Sequence, residues 1–366
     1  MSEWQDFYLE DLAELHNNKR VPLSSMQRAS KKGCYPYYGA SGIVDYIDAY
    51  AFDGEFVLIS EDGENLRSRN TPIAFKADGK FWVNNHAHII KGKKDFHNAL
   101  IIYYLKNLDL NEFITGAVQP KLNKASLTSI PFYLPVQEKE QKAIASVLSS
   151  LDDKIDLLHR QNTTLERMAE TLFRQWFVEE AQEDWEEGAL GEVVDIFDNQ
   201  RIPLSRMERD KKKVGVLYPY YGAAQVMDYI NDFIFDGDYI LMGEDGTVRT
   251  DEGYPVLQYA TGKFWVNNHT HVLRAKAPYS NFLIWNYLSK KNIDGIVTGA
   301  VQPKINQGNL RALDFPKLPV NLVLEFNQQT EPILNKINTN KKQIQTLEKL
   351  RDNLLPKLMS GEIRLL

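Results

Sequence analysis

Two histidines flanking one residue stand beside paired asparagines in "KFWVNNHAHII", which begins at Lys80, and again in "KFWVNNHTHVL", which begins at Lys263. Alternate residues of a strand share a face, so His86 and His88 could grip a metal ion together. Paired carboxylates recur as well, Glu61–Asp62 and Glu244–Asp245, each before a glycine. A Mg2+-dependent nuclease needs several converging carboxylates. Each copy offers one pair, in an Asp-Gly context that favours a tight turn. A general base also needs an orienting partner, and the sequence places none beside the histidines. They read first as satisfied polar groups of a sheet next to Trp82, or as groups facing nucleic acid. No phosphate-cradling glycine loop with lysine and Ser/Thr is present, nor a dinucleotide or S-adenosylmethionine fingerprint.

What remains is binding chemistry. "KRVPLS", "YPYYGASG", "KFWVNNH" and "TGAVQPKLN" mix cations, amides and hydroxyls with glycine turns. Such side chains bond phosphates and read base edges, asparagine and glutamine suiting adenine and arginine and lysine suiting guanine.

These segments are positioned by a duplication. "YPYYGASGIVDYI" (35–47) returns as "YPYYGAAQVMDYI" (218–230), "FDGEFVLISEDG" (52–63) as "FDGDYILMGEDG" (235–246), and "TGAVQPKLN" (115–123) as "TGAVQPKIN" (298–306). All three pairs share an offset of 183, while "NKRVPLS" (18–24) meets "NQRIPLS" (199–205) at 181, so the insertion falls in a basic loop. Two long copies make an internal duplication rather than a solenoid. Each copy has short runs such as "EFVLI" and "DYILM" that read as strands, and one clear helix, "FHNALIIYYLKNL" or "YSNFLIWNYLSKK". The pattern predicts an α+β domain with a twisted sheet.

A different element follows each copy. From Gln137 to about Val178 there is neither glycine nor proline. Apolar residues step by four and three through Ile144, Leu148, Leu151, Ile155, Leu158, Asn162, Leu165, Ala169, Leu172 and Trp176. That is a heptad seam interrupted by one asparagine, on a helix of roughly 60 Å. The second copy continues through Ile333, Ile337, Asn340, Ile344, Leu347 and Leu354 and stops near "LMSGEI". Pro332 is expected in the first turn of this helix, after a break near "NQQTE". Two such stripes in one chain most simply pack together, with Asn162 and Asn340 fixing register.

Composition is ordinary for a globular protein, at 43% apolar and 25% charged residues in 366. The single cysteine, Cys34, rules out an internal disulfide framework and fits a reducing cytoplasm. The N-terminal segment lacks the pattern of a signal peptide, and no stretch reaches the length of a membrane span, so no membrane contact is expected. A net charge of −6 does not advertise a nucleic-acid binder. Basic runs at 28–32, 91–94 and 206–213 can still contact DNA selectively on an acidic whole.

The ordered motifs, the duplication and the closing "LEKLRDNLLPKLMSGEIRL" together resemble the specificity subunit of Type I restriction-modification systems, over essentially the entire chain. The resemblance implies two target-recognition domains (1–136 and 181–320), which the duplication makes similar here, separated by two long helices (137–180 and 321–366) that form an antiparallel coiled coil, within an α+β fold. It implies a non-catalytic, cytoplasmic subunit that reads a bipartite duplex DNA target. Two methyltransferase subunits and the restriction (motor-nuclease) subunits would be its partners. S-adenosylmethionine, ATP and Mg2+ would then reside on those partners and none on this chain. Candidate DNA contacts in the first domain are Lys19, Arg20, Lys31, Lys32, Tyr38, Ser41, Arg67, Lys80, Asn84, His86, Gln119 and Lys121. In the second they are Arg201, Lys211, Lys212, Tyr221, Gln225, Arg249, Lys263, Asn267, His269, Gln302 and Lys304.

The two copies share 16 of 32 positions between Tyr35 and Leu66, whereas recognition domains of the family usually differ within one chain. Like domains related by a pseudo-two-fold read inverted copies of similar sequence, so an interrupted, nearly palindromic target is expected. Ser41-Gly42 becomes Ala224-Gln225, and residues 64–71 differ from 247–254; if these loops enter the major groove, the half-sites differ at one or two base pairs. Two other readings stay open on the residues alone. One is a divalent-metal nuclease using Glu61, Asp62, His86 and their copies. The other is a non-DNA adaptor whose coiled coil binds protein and whose repeats hold a ligand.

Overall fold

The structure is a computed structural model that describes residues 3–116, 118–181, 185–299 and 301–365. Ala117 and Ala300 of the repeated "TGAVQPK" segment, and 182–184 of the acidic stretch, lie outside the described residues.

The first copy holds strands β1 (Trp4–Phe7), β2 (Ala13–Leu15), β3 (Lys32–Gly39), β4 (Gly42–Ile47), β5 (Phe52–Asp53), β6 (Phe56–Ser60), β7 (Ala74–Ala77), β8 (Lys80–Val83), β9 (Ala87–Gly92) and β10 (Phe132–Pro135). They form two four-stranded sheets, β2-β9-β6-β7 and β4-β3-β8-β5, and a ribbon β1-β10. The second copy holds β11 (Val194–Ile196), β12 (Tyr218–Tyr221), β13 (Val226–Ile230), β14 (Phe235–Asp236), β15 (Tyr239–Gly243), β16 (Leu257–Ala260), β17 (Lys263–Val266) and β18 (Thr270–Ala275). Its sheets, β11-β18-β15-β16 and β13-β12-β17-β14, repeat both strand orders.

The sequence pattern anticipated one sheet per domain; there are two, and β6 shows why. All five of its residues are buried. Val57 and Ile59 face a core that includes Leu100 and Ile101 of the helix His97–Asn107. Phe56 and Leu58, on the other face, join Phe52, Phe81 and Val83 of the second sheet. A strand covered on both sides has no polar face, so its run is continuously apolar. β15 repeats the division, with Ile240 and Met242 on one side and Tyr239 and Leu241 on the other.

The chain forms two compact units, residues 1–160 with 340–366 and residues 161–339. Each long helix is shared between them. The first, Glu138–Arg174, has 37 residues and runs into a π-helical turn, Gln175–Glu179. The second, Val320–Met359, has 40. Within the first unit the helices run antiparallel. Glu140 meets Arg364 and Asp152 meets Arg351, while Ile155 and Leu158 pack with Ile344 and Leu347. The same unit buries Ile144, Leu148, Leu355 and Leu358 against its sheet domain. In the second unit Phe326 is wholly buried among Phe173, Trp176, Phe177 and Phe282.

The expected seam positions are all buried or half-buried, Asn162 and Asn340 included. Pro332 does not begin the second helix, which starts twelve residues earlier, at Val320, and runs through it unbroken. Proline removes one backbone donor, and here it lies on the exposed face, where water can satisfy the freed carbonyl. Burial of Val323 and Phe326 on the turns before it holds the helix together across that gap.

Candidate nucleic-acid interface

Four segments that are far apart in the chain meet at one rim of the first domain. The Glu61 amide donates to the His86 carbonyl at 2.9 Å, and the Leu122 amide donates to the Glu61 carbonyl at 2.8 Å. The Gly63 amide reaches the Pro120 carbonyl at 3.0 Å, and the Asn84 amide reaches Tyr38 at 3.0 Å. Ser60 Oγ fastens the β3–β4 hairpin tip by donating to the Ala40 carbonyl at 2.5 Å. The second domain repeats the set with Glu244–His269, Ile305–Glu244, Gly246–Pro303 and Asn267–Tyr221. Thr115 and Lys121 close a loop with two backbone bonds of 2.8 Å, as do Thr298 and Lys304. Gly116 has φ +85° there, and a Cβ would sit 2.2 Å from the Gln119 carbonyl oxygen, so both backbone and space require glycine.

The sequence left the histidines without carboxylate companions, and the fold corrects this. Pairing of β6 with β9 brings the "EDG" segment alongside them. His86 Nδ1 donates to Asp62 at 2.9 Å, and His269 Nδ1 donates to Asp245 at 2.6 Å. The two histidines of each pair do not share a face. His86 lies in the turn before β9 and is exposed, whereas His88 lies within the strand and is wholly buried. His88 Nε2 donates to the Leu122 carbonyl at 2.7 Å, and its Nδ1 accepts from Asn17 Nδ2 at 2.8 Å. Burial lowers the His88 pKa.

Arg20 and Arg201 were expected on phosphate or base, but both are turned into the fold. Arg20 donates to Glu61 at 2.6 Å and to the carbonyls of Asn17, Asn85 and Ala87. Arg201 repeats this with Glu244, Asp198, Asn268 and Thr270. Burial alone would raise the Glu61 pKa, but the Arg20 hydrogen bond and the Arg20 and Lys121 charges hold it below its ordinary value. Asn84 and Asn267 are likewise bonded internally, each side-chain oxygen accepting from the amide two residues on, His86 or His269.

Other candidates remain at the surface. Lys19, Lys31, Ser41, Gln119, Gln225, Gln302 and Lys211 are exposed. Lys121 and Lys304 are exposed cations 3.5 Å from Glu61 and Glu244. Lys32 pairs with Asp45 and Lys212 with Asp232. Lys80 stands over the Tyr50 ring at 4.7 Å, and Lys263 over Phe233 at 4.4 Å. Tyr38 and Tyr221 pack edge-on against Phe81 and Phe264 and are partly covered. Arg67 donates to the Gly116 carbonyl at 3.1 Å, and Arg249 pairs with Asp294. Two further residues of the rim, outside these candidates, are fully exposed. Val118 and Val301, in the repeated "TGAVQPK" loop, are 98% and 99% exposed.

Asp198, Glu244 and His271 bring possible ligand atoms within 4.8 Å of one another. The Arg201 guanidinium already lies 2.6 Å from Glu244 and 3.8 Å from Asp198, so the local charge is met without an added cation. Both His271 nitrogens are engaged as well, with Asp198 at 2.6 Å and the Ile305 carbonyl at 2.9 Å. The cluster is a hydrogen-bonded brace.

Comparison with known proteins agrees along the chain. The family described as "Type I restriction modification DNA specificity domain" matches residues 1–167 and 182–349. A putative type I restriction enzyme specificity subunit of Haemophilus influenzae, S.HindORF215P, is 41% identical over 149 residues, 41% of this chain and 37% of that protein's length. The type I restriction enzyme MjaIX specificity subunit of Methanocaldococcus jannaschii is 25% identical over 351 residues, covering 82% of this chain and 78% of that one. The crystal structure of the Type I restriction-modification S subunit of M. genitalium has the same fold, with a TM-score of 0.64 at 17% identity over 98% of this chain and 96% of that one. Among the described residues no helix is long and apolar enough to cross a membrane.

Proposed function

The chain belongs to the Type I restriction-modification DNA specificity family, and from that premise we propose that it reads a split duplex target, one half with each copy of its domain. The observation that carries this reading is the repeated rim. Both copies hold the same four segments together with the same internal bonds, and both leave lysines and carboxamides exposed there. Cations of that kind fix a protein on the phosphate backbone, and carboxamides read base edges.

The chain acts without catalysis of its own. The carboxylates and histidines of the rim are tied to one another and to arginine and lysine, which supports a scaffold over a reaction centre. Modification and restriction then belong to two methyltransferase subunits and to motor-nuclease subunits, with S-adenosylmethionine, ATP and Mg2+ bound by those partners. The methyltransferases dock on the paired long helices. Because the two domains are so alike, the target is an interrupted sequence with similar, inverted halves.

Footprinting of the chain with its methyltransferase on a duplex library tests this. Protection of two short blocks separated by an unread spacer is the expected result. Cleavage of DNA by the purified chain with Mg2+ alone would replace this reading with a nuclease, and no protection of any duplex would replace it with an adaptor.

A further inference from the structure

The rim residues that are identical in the two domains are largely engaged with one another. Arg20, Asn84, His88 and their copies hold the fold, while His86 pairs with Asp62 and Lys121 with Glu61. Shared and internally bonded, they cannot make one half-site different from the other. A difference has to come from a position at the same rim that is exposed, rigidly held and unlike in the two copies.

The tip of the β3–β4 hairpin and its counterpart, β12–β13, meet all three conditions. Ser60 Oγ fastens the first tip at the Ala40 carbonyl, and Gln258 Nε2 fastens the second at the Gly222 carbonyl, 2.8 Å away. The second turn is closed by the Gly222 amide donating to the Gln225 carbonyl at 2.9 Å. The Gln225 backbone is thereby fixed, its side chain is exposed, and its carboxamide has no hydrogen-bond partner among the described residues. In the first domain the same place is Gly42, with φ +136° and open space wherever a Cβ would stand. At this position one tip presents a donor and an acceptor side by side and the other presents neither, its nearest polar side chain being the short Ser41 hydroxyl next to it.

A two-stranded β-ribbon fits the major groove of B-DNA, where adenine offers the N7 acceptor and the N6 donor that a glutamine carboxamide matches. We infer that Gln225 is a specificity-determining residue that reads an adenine in the half-site facing the second domain. The corresponding base pair of the other half-site is read less strictly, because Gly42 has no side chain to read it. This inference rests on the DNA-reading function proposed above and adds to it the residue, the base and the half-site.

The test uses the full chain in complex with its methyltransferase, acting on a plasmid library that randomises each position of the target in turn. Methylation is read by sequencing. Gln225→Ala is expected to relax one position of one half-site by roughly 5- to 150-fold and to leave every other position as in the wild type. Gln225→Glu replaces the amide donor with an acceptor and is expected to move the preference at that position toward cytosine. The residue is exposed on a turn, so unchanged thermal unfolding of both variants is the accompanying expectation. A motif unchanged at every position in both variants, with methylation retained, overturns the assignment of Gln225 and leaves the DNA-reading function standing. Absence of any sequence-specific methylation by the wild-type complex would instead overturn the function, and the inference with it.

Discussion

Asp198 Oδ2 lies 2.6 Å from His271 Nδ1, at the place where the first domain sets Asn17 Nδ2 2.8 Å from His88 Nδ1. The exchange sets an acceptor where the first domain has a donor, beside a buried imidazole. In the first domain Asn17 donates, so His88 Nδ1 accepts and only Nε2 carries a proton, given to the Leu122 carbonyl. In the second domain the ring faces acceptors on both sides, Asp198 and the Ile305 carbonyl. Burial opposes the Asp198 charge, but the His271 hydrogen bond and charge outweigh it and lower the Asp198 pKa.

The two domains should respond differently to acid. His88 has a lowered pKa through burial, so the unfolded chain takes up its proton before the folded one. Stability from the neutral brace is present above the unfolded value of about 6.5 and is lost as pH falls below it. Asp198 behaves as a depressed carboxyl: its contribution is present above the unfolded value of about 3.9 and is lost as pH falls through the folded one. Asn17→Asp places a carboxylate beside His88 and is expected to reduce the loss of thermal stability between about pH 7 and pH 5, and Asp198→Asn removes the depressed carboxyl and is expected to reduce the loss below about pH 4. Unfolding curves for both variants that track the wild type across these ranges would contradict this expectation.

Arg20→Ala leaves Glu61 and the Ala87 carbonyl without their donor in a half-buried site. The expected cost is about 2–4 kcal/mol of stability, with Arg20→Lys recovering only part of it because lysine lacks the planar fork. Chemical denaturation measures this directly. A variant as stable as the wild type but weak in DNA binding would move Arg20 from the fold to the interface.

Arg69 is the one described non-glycine residue with positive φ, 50°, and its guanidinium donates to the carbonyls of Leu105, Lys106 and Leu108 at the end of the helix His97–Asn107. Arg69→Ala is expected to lower stability by about 1–2 kcal/mol and to leave the methylated motif unchanged. A changed motif would return this loop, which differs between the domains, to the reading surface.

The duplication and the long helices were legible because period is a property of sequence: fixed offsets reveal repeats, and steps of three and four reveal a helical face. Pro332 misled because local propensity argued for a helix start, while burial of Val323 and Phe326 carried the helix through it. The histidine–carboxylate pairs were hidden for another reason. His86 and Asp62 are 24 residues apart and meet only through the register of β6 with β9. The difference between Arg20 as a DNA contact and Arg20 as a brace was equally invisible, since both roles ask for the same side chain.

The central claim is that each copy of the domain reads one half of a split target. Sequencing of methylated DNA from cells carrying the chain and its methyltransferase tests it most directly. The expected result is one interrupted motif whose halves are inverted and nearly alike. Two unrelated half-sites, or a single uninterrupted one, would contradict it.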